Sequence, residues 1–156
     1  MRLINIEKND LRLFYENDKI ITRIFEYKDK KVIFSGNEEF IIFFSEENED
    51  KVIKSSEMNR SINNDEKSIE ICYSIDDITV KVKYDMIDNI IKKNIEIKSS
   101  KPYKIKRILC ENMSIKHNLS RGGEGQPVFI DNIMWCGMEH PIALNEYKEG
   151  ILQFLQ

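Results

Sequence analysis

From Leu3 to about Ile115, apolar and polar residues alternate with a period of two, the pattern of strands that bury one face. Leu11, Leu13 and Tyr15 alternate with Arg12, Phe14 and Glu16, and Asn17-Asp18 turns the chain. A strand over Ile20 to Tyr27 is joined by Lys28-Asp29-Lys30 to Val32-Ile33-Phe34 as a hairpin. Ser35-Gly36-Asn37 predicts a further turn into Phe40-Ile41-Ile42-Phe43-Phe44, which is apolar on both faces and suits a strand covered on both sides. The polar, acidic run from Glu46 to Glu66 predicts a long connection with one short edge strand at Val52-Ile53.

The clearest patterning follows. Ile69, Ile71, Tyr73 and Ile75 share one face, Asp76-Asp77 makes a tight turn, and Ile78, Val80, Val82 and Tyr84 line the returning strand, with Lys81 and Lys83 opposite. Asp85 to Asn89 turns into Ile90-Ile91 and Ile95-Glu96-Ile97. Between Leu109 and Met113 of the next strand the alternation slips, which predicts a bulge. At the end, Ile142-Ala143-Leu144 and Ile151 to Leu155 read as strands joined across Lys148-Glu149-Gly150, the last of them at a sheet edge; one irregular helix is the competing reading, and Gly150 speaks against it. Short strands, polar turns and no long amphipathic helix predict an all-β fold, an antiparallel β-sandwich with little helix. The abrupt end at Gln156 raises the expectation of a fragment of a longer carbohydrate-active protein, or of a strand that pairs with a partner.

At 156 residues the chain is expected to form a single domain, residues 1–156, burying roughly 70% of its unfolded surface. Net charge is −3, and acids and lysines are mixed throughout. Nucleic acid is therefore not expected as a partner, since its phosphates ask for a clustered basic face. No apolar run approaches the ~18 residues of a membrane span, so no membrane partner is expected either. No signal-peptide core follows Arg2, and the three cysteines, Cys72, Cys110 and Cys136, are odd in number and far apart. Reduced thiols and a cytoplasmic location are expected, or a secreted one if the chain is an internal fragment.

Arg121 to Pro141 breaks the repetition, gathering four of the six glycines, two of the three prolines and the single tryptophan. It carries neither a Walker loop nor a dinucleotide fingerprint, so no cofactor is expected. Gly122, Gly123 and Gly125 suit a sharp turn that needs positive φ. Trp135 has two readings: a partly buried core ring, or a platform for the CH face of a pyranose whose hydroxyls bond to flanking amides and acids. On the second reading the sugar-binding set is Trp135, Arg121, Gln126, Glu139 and Asp131. Glu139 and His140 point to opposite faces of an extended chain, and Cys136 with His140 does not converge as a metal pair, so no metal is expected. No catalytic residue is assigned; Glu124 with Glu139 as a glycosidase pair is the weaker alternative.

Three stretches together resemble a known family. Ile78-Thr79-Val80-Lys81-Val82-Lys83-Tyr84, then I-I-K-K-N-I-E-I from Ile90 to Ile97, then Ile105 to Ile115 resemble consecutive strands of the galactose-mutarotase-like super-sandwich, in the form associated with glycoside hydrolases of the α-galactosidase type. Gly125-Gln126-Pro127-Val128-Phe129 through Trp135-Cys136-Gly137-Met138-Glu139-His140-Pro141 is similar to that family's "GQPV…W-G-x-E-x-P" segment. The resemblance covers roughly residues 68–145. It implies a carbohydrate-binding or substrate-positioning module, not itself catalytic, that sits beside a catalytic barrel domain. His117 precedes Asn118 and lacks the mutarotase context, so the family's catalytic histidine is not carried over.

Three functions are left to compare. A carbohydrate-binding module predicts Trp135 partly exposed, in a concave surface with Arg121, Gln126 or Glu139. A structural or protein-interaction sandwich, pairing through its edge strands with another chain or a second copy of itself, predicts Trp135 buried and an apolar exposed edge near Phe154. A sugar epimerase requires a histidine and a carboxylate converging in one pocket.

Overall fold

The computed structural model describes residues 3–17, 20–138 and 143–156. The chain opens as an antiparallel meander, β1 (Leu3–Lys8), β2 (Leu11–Asn17), β3 (Ile21–Tyr27) and β4 (Lys30–Glu38). It continues through β5 (Ile41–Glu46) and β6 (Glu49–Lys54), a 3-10 turn at Ser55–Glu57, and β7 (Asn59–Asn64). The long hairpin strands β8 (Ser68–Ile75), β9 (Ile78–Ile87) and β10 (Ile90–Ser99) come next, followed by β11 (Lys104–Ile115). Four short strands follow: β12 (Leu119–Arg121), β13 (Gly123–Glu124), β14 (Val128–Ile130) and β15 (Met134–Cys136). The hairpin of β16 (Leu144–Lys148) and β17 (Ile151–Leu155) closes the fold. No helix among the described residues is long and apolar enough to cross a membrane.

All pairings are antiparallel, as expected for an all-β fold. A large sheet runs β1-β2-β3-β4-β11-β17-β16-β13, with β5 also on β11 and β6 outside β5. A four-stranded sheet runs β10-β9-β8-β7, and a small one runs β12-β14-β15. The four-stranded sheet packs on the large one through the faces that alternation marks as apolar. Ile69, Ile71, Tyr73, Val80, Val82 and Tyr84 are all buried, in one core with Ile6, Leu13 and Tyr15 of the meander. Tyr15 meets Tyr84 at 5.8 Å between ring centroids, and Phe40 meets Tyr73 edge-on at 5.1 Å. Each such buried side chain stabilises the fold by roughly 1.5–3 kcal/mol. The faces away from the core carry ion pairs instead, such as Lys81–Glu70 and Lys83–Asp85.

Three local expectations change. The chain does not turn at Ser35-Gly36-Asn37: β4 runs through Gly36, where an added Cβ would lie 2.7 Å from Met113 Sδ and 2.8 Å from the Asn112 carbonyl. The glycine is there for close approach to β11. The region between Glu46 and Glu66 holds two strands, and β7 pairs in full register with β8. An outer strand needs only its backbone to pair, so it shows little apolar alternation. The final strand β17 is not an edge, since it pairs with β11 on one side and β16 on the other.

The bulge expected in β11 is present. Its register shifts between Leu109 and Glu111 against β17, and again between Asn112 and Ser114 against β4. β4 and β5 lie end to end along the same side of β11, and the break between them places Glu39 in the core.

Candidate functional site: a cleft beside the edge strand

Charged residues occur in phase with apolar ones on three strands: Arg23 between Ile21 and Phe25, Lys93 between Ile91 and Ile95, and Glu111 beside Met113. Alternation sends all three inward, and they meet there with Glu39. Arg23 is 1% exposed and Glu39 fully buried. The Arg23 guanidinium donates from Nη1 to Glu111 Oε2 at 2.9 Å and from Nη2 to Glu111 Oε1, a two-pronged pair. It donates also to the Tyr84 hydroxyl at 2.8 Å and lies between the rings of Phe34 and Tyr84. Tyr84 donates to Glu39 Oε1, and Tyr15 donates to Glu39 Oε2 at 3.1 Å. Lys93 reaches across from edge strand β10 to pair with Glu39 Oε1 at 2.7 Å. It also donates to the carbonyls of Glu39 at 2.9 Å and Cys110 at 2.8 Å. The bulge explains the last contact: it takes Cys110 out of register with β17, and its carbonyl accepts the lysine.

Two cations and two carboxylates make a neutral floor that ties the sheets together. Burial would raise the Glu39 carboxyl, but the Lys93 ammonium and then the Arg23 guanidinium overcome it, bringing the group down to about 2. A folded value below the unfolded carboxylate's (about 4.3) stabilises the protein above that pH. On the order of 3 kcal/mol is then lost as the pH falls towards the folded value. In Lys93→Met the ammonium is gone. That variant is expected to be less stable at neutral pH and to vary less in stability than the wild type between about pH 4 and 2. Urea denaturation across that range checks it; parallel curves for the two proteins would refute the role given to Lys93.

The glycine-rich segment follows β12 in the chain. Arg121 has φ 62, and Gly122, Gly123 and Gly125 have φ 94, 118 and 63, so the turn uses the left-handed region the glycines suit. Asn145 on β16, 1% exposed, fastens the segment at two points. Its Nδ2 donates to the Gln126 carbonyl at 2.9 Å, and its Oδ1 accepts from the Met138 amide at 3.1 Å. The β14–β15 turn is held by Asp131, whose Oδ2 lies 2.8 Å from His117 Nδ1 and whose Oδ1 accepts from the Asn118 amide. The hydrogen bond to His117 is the main reason that the Asp131 carboxyl lies below its usual value.

In the small sheet Trp135 is opposite Phe129, and Phe129 is opposite Ser120. Trp135 is 54% exposed, and the Arg121 guanidinium covers the Phe129 ring at 4.8 Å. Arg121, Phe129 and Trp135 thus form one aromatic row with a cation at its end. Beside it opens a cavity of about 660 Å³, lined by Trp135 and its neighbours, by β10, and by floor residues Arg23, Tyr84, Lys93 and Glu111. That volume is in the range of small-molecule sites. Ile91, Ile95, Ile108, Ile133, Met134 and Phe154 give it apolar walls. Cys110 and Cys136 also line it, and burial pushes both thiols up, Cys136 to about 12, so neither is a thiolate at neutral pH.

Of the proposed sugar-binding residues, Trp135 lines the cavity; Arg121 lies outside its lining, with its guanidinium over the Phe129 ring. Gln126 and Asp131 are outside the cavity lining, the first exposed on the glycine turn and the second engaged with His117. Glu139 lies outside the described residues, as do His140 and Pro141. Phe129, Asn145 and the four charged floor residues were not anticipated. Charge in phase with an apolar face was the available signal for Arg23, Lys93 and Glu111. Among the described residues no group of three or more His, Cys, Asp or Glu side chains is placed to hold a metal ion. Comparison with protein-family models, curated proteins and solved structures returned no match.

Proposed function

We propose that this protein is a carbohydrate-binding β-sandwich that positions a sugar against Trp135. The observation that carries this reading is the half-exposed indole at the lip of a ligand-sized cleft. An indole face stacks on the apolar CH face of a pyranose, and Asn89, Lys92 and Gln156 stand at the same cavity as polar neighbours. The resemblance to the galactose-mutarotase-like super-sandwich points the same way, and with it the role of a substrate-positioning module beside a catalytic barrel domain. Among the described residues the cleft's carboxylates, Glu111 and Glu26, are paired with arginine or lysine, and binding is the activity assigned.

Titration with mono- and oligosaccharides, read by the fluorescence of the single tryptophan, is expected to give a saturable change at millimolar sugar or below. Trp135→Ala should weaken binding at least tenfold by calorimetry, the loss of roughly 1.4 kcal/mol that one ring stack is worth. A second reading, a sandwich that pairs through an edge strand, has the half-exposed Ile87 and Ile90 beside the turn into β10 in its favour and the exposed Trp135 and buried Phe154 against it. No response to any sugar, together with a concentration-dependent mass in sedimentation, would replace the first reading by the second.

A further inference from the structure

The walls and floor of the cleft differ in what they offer a ligand, and the difference narrows its chemical class. The floor is polar, yet its donors are engaged with one another. Lys93 directs its ammonium to Glu39 and two carbonyls, Arg23 gives both Nη atoms to Glu111 and Tyr84, and Tyr84 donates to Glu39. Among the described residues Arg23 Nε lacks a partner, and it is itself buried. A sugar pushed to the bottom would surrender water from several hydroxyls and find few donors to replace it. The walls, by contrast, reward apolar matter: Ile91 and Ile95 from β10, Ile108 and Phe154 from the large sheet, and Met134 from β15. Trp135 stands where water still reaches.

We infer that the cleft takes a glycoside with an apolar aglycone, its sugar held at the lip by Trp135 and its alkyl or aryl group seated between Ile91, Ile95, Ile108 and Met134. The inference rests on the carbohydrate reading above and adds the class of ligand. Each methylene carried from water into such a wall raises affinity roughly fourfold, so a chain of several carbons outweighs the weak rim contacts of a free sugar.

The test compares methyl and octyl β-glucosides, methyl and octyl β-galactosides, and 1-octanol. All are titrated below micellar concentration against the whole chain, by calorimetry and tryptophan fluorescence. For at least one sugar the octyl glycoside should bind at least roughly tenfold tighter than its methyl counterpart and tighter than octanol. Ile95→Asp and, independently, Met134→Gln should remove most of the octyl-over-methyl ratio; melting curves identify a variant that fails to fold, and the other then decides. Equal affinity for methyl and octyl glycosides overturns the inference but leaves the carbohydrate reading standing. Octanol binding as tightly as the octyl glycosides, with no dependence on the sugar, overturns the carbohydrate reading and the inference with it. Absence of binding by every probe overturns both.

Discussion

Glu111→Ala is expected to lower the free energy of unfolding by about 3–5 kcal/mol, because it leaves a buried guanidinium without its counter-charge. Arg23 is 1% exposed and gives two Nη donors to Glu111. With the carboxylate gone, the cation has the Tyr84 hydroxyl, and Glu39 at 3.8 Å, which Lys93 already holds. In a chain of 156 residues a loss of that size lowers the melting temperature by roughly 10 °C. The double variant Arg23→Met with Glu111→Leu removes both charges and should recover much of the loss, since two apolar side chains need no compensation there. Urea denaturation of the single and double variants decides the matter. A single variant within about 1 kcal/mol of the wild type would mean that water reaches the guanidinium and that the floor is not sealed.

Gly122→Ala is expected to damage the glycine-rich turn more than Gly123→Ala does. Gly122 sits at φ +94, and an added Cβ would lie 2.7 Å from the Asn145 carbonyl oxygen, a backbone atom that cannot rotate aside. Relief requires the segment to lift from β16, the strand that carries Asn145 and its bonds to Gln126 and Met138. Strain in the left-handed region costs on the order of 1–3 kcal/mol, and the clash adds to it. Gly123→Ala is the matched control: φ is +118, but nothing lies within 4 Å of the added carbon. The difference in unfolding free energy between the two isolates the contact with Asn145. Iodide quenching of Trp135 should rise in Gly122→Ala and change less in Gly123→Ala. Equal effects would mean that the turn is held by its dihedrals alone.

Most of the fold is legible wherever one face of a strand is buried and the other wet. The hairpin from Ile69 to Tyr84, the slip near Leu109 and the turn at Glu149-Gly150 all follow from local pattern, because each is decided by neighbours in the chain. What escaped is decided elsewhere. The strand Asn59–Asn64 carries polar residues on both faces, and only its pairing with β8 defines it. Gly36 reads as a turn until β11, remote in sequence, is seen pressing against it.

The site was legible to a smaller extent. A glycine-rich segment with one tryptophan marks an irregular surface, and Trp135 is exposed at the cleft. The floor beneath it is built from Arg23, Tyr84, Lys93 and Glu111, with Tyr84 61 positions and Glu111 88 positions after Arg23 in the chain. Alternation alone says that these charges turn inward; it does not say that they turn towards each other. Gln126 and Asp131 show the converse. Their types suit hydroxyl recognition, but the backbone of one and the carboxylate of the other serve to hold the loop.

The fastening of that loop also sets an order of assembly. Asn145 lies on β16, and β16 gains its place in the large sheet through β17, which is the strand that pairs with β11. As the polypeptide leaves the ribosome, the meander and the long hairpins can zip together from contacts already synthesised. The two bonds from Asn145 to the rim form only once β16 has docked through Ile151–Leu155, so the loop that carries the indole is fastened after the meander and the long hairpins have paired.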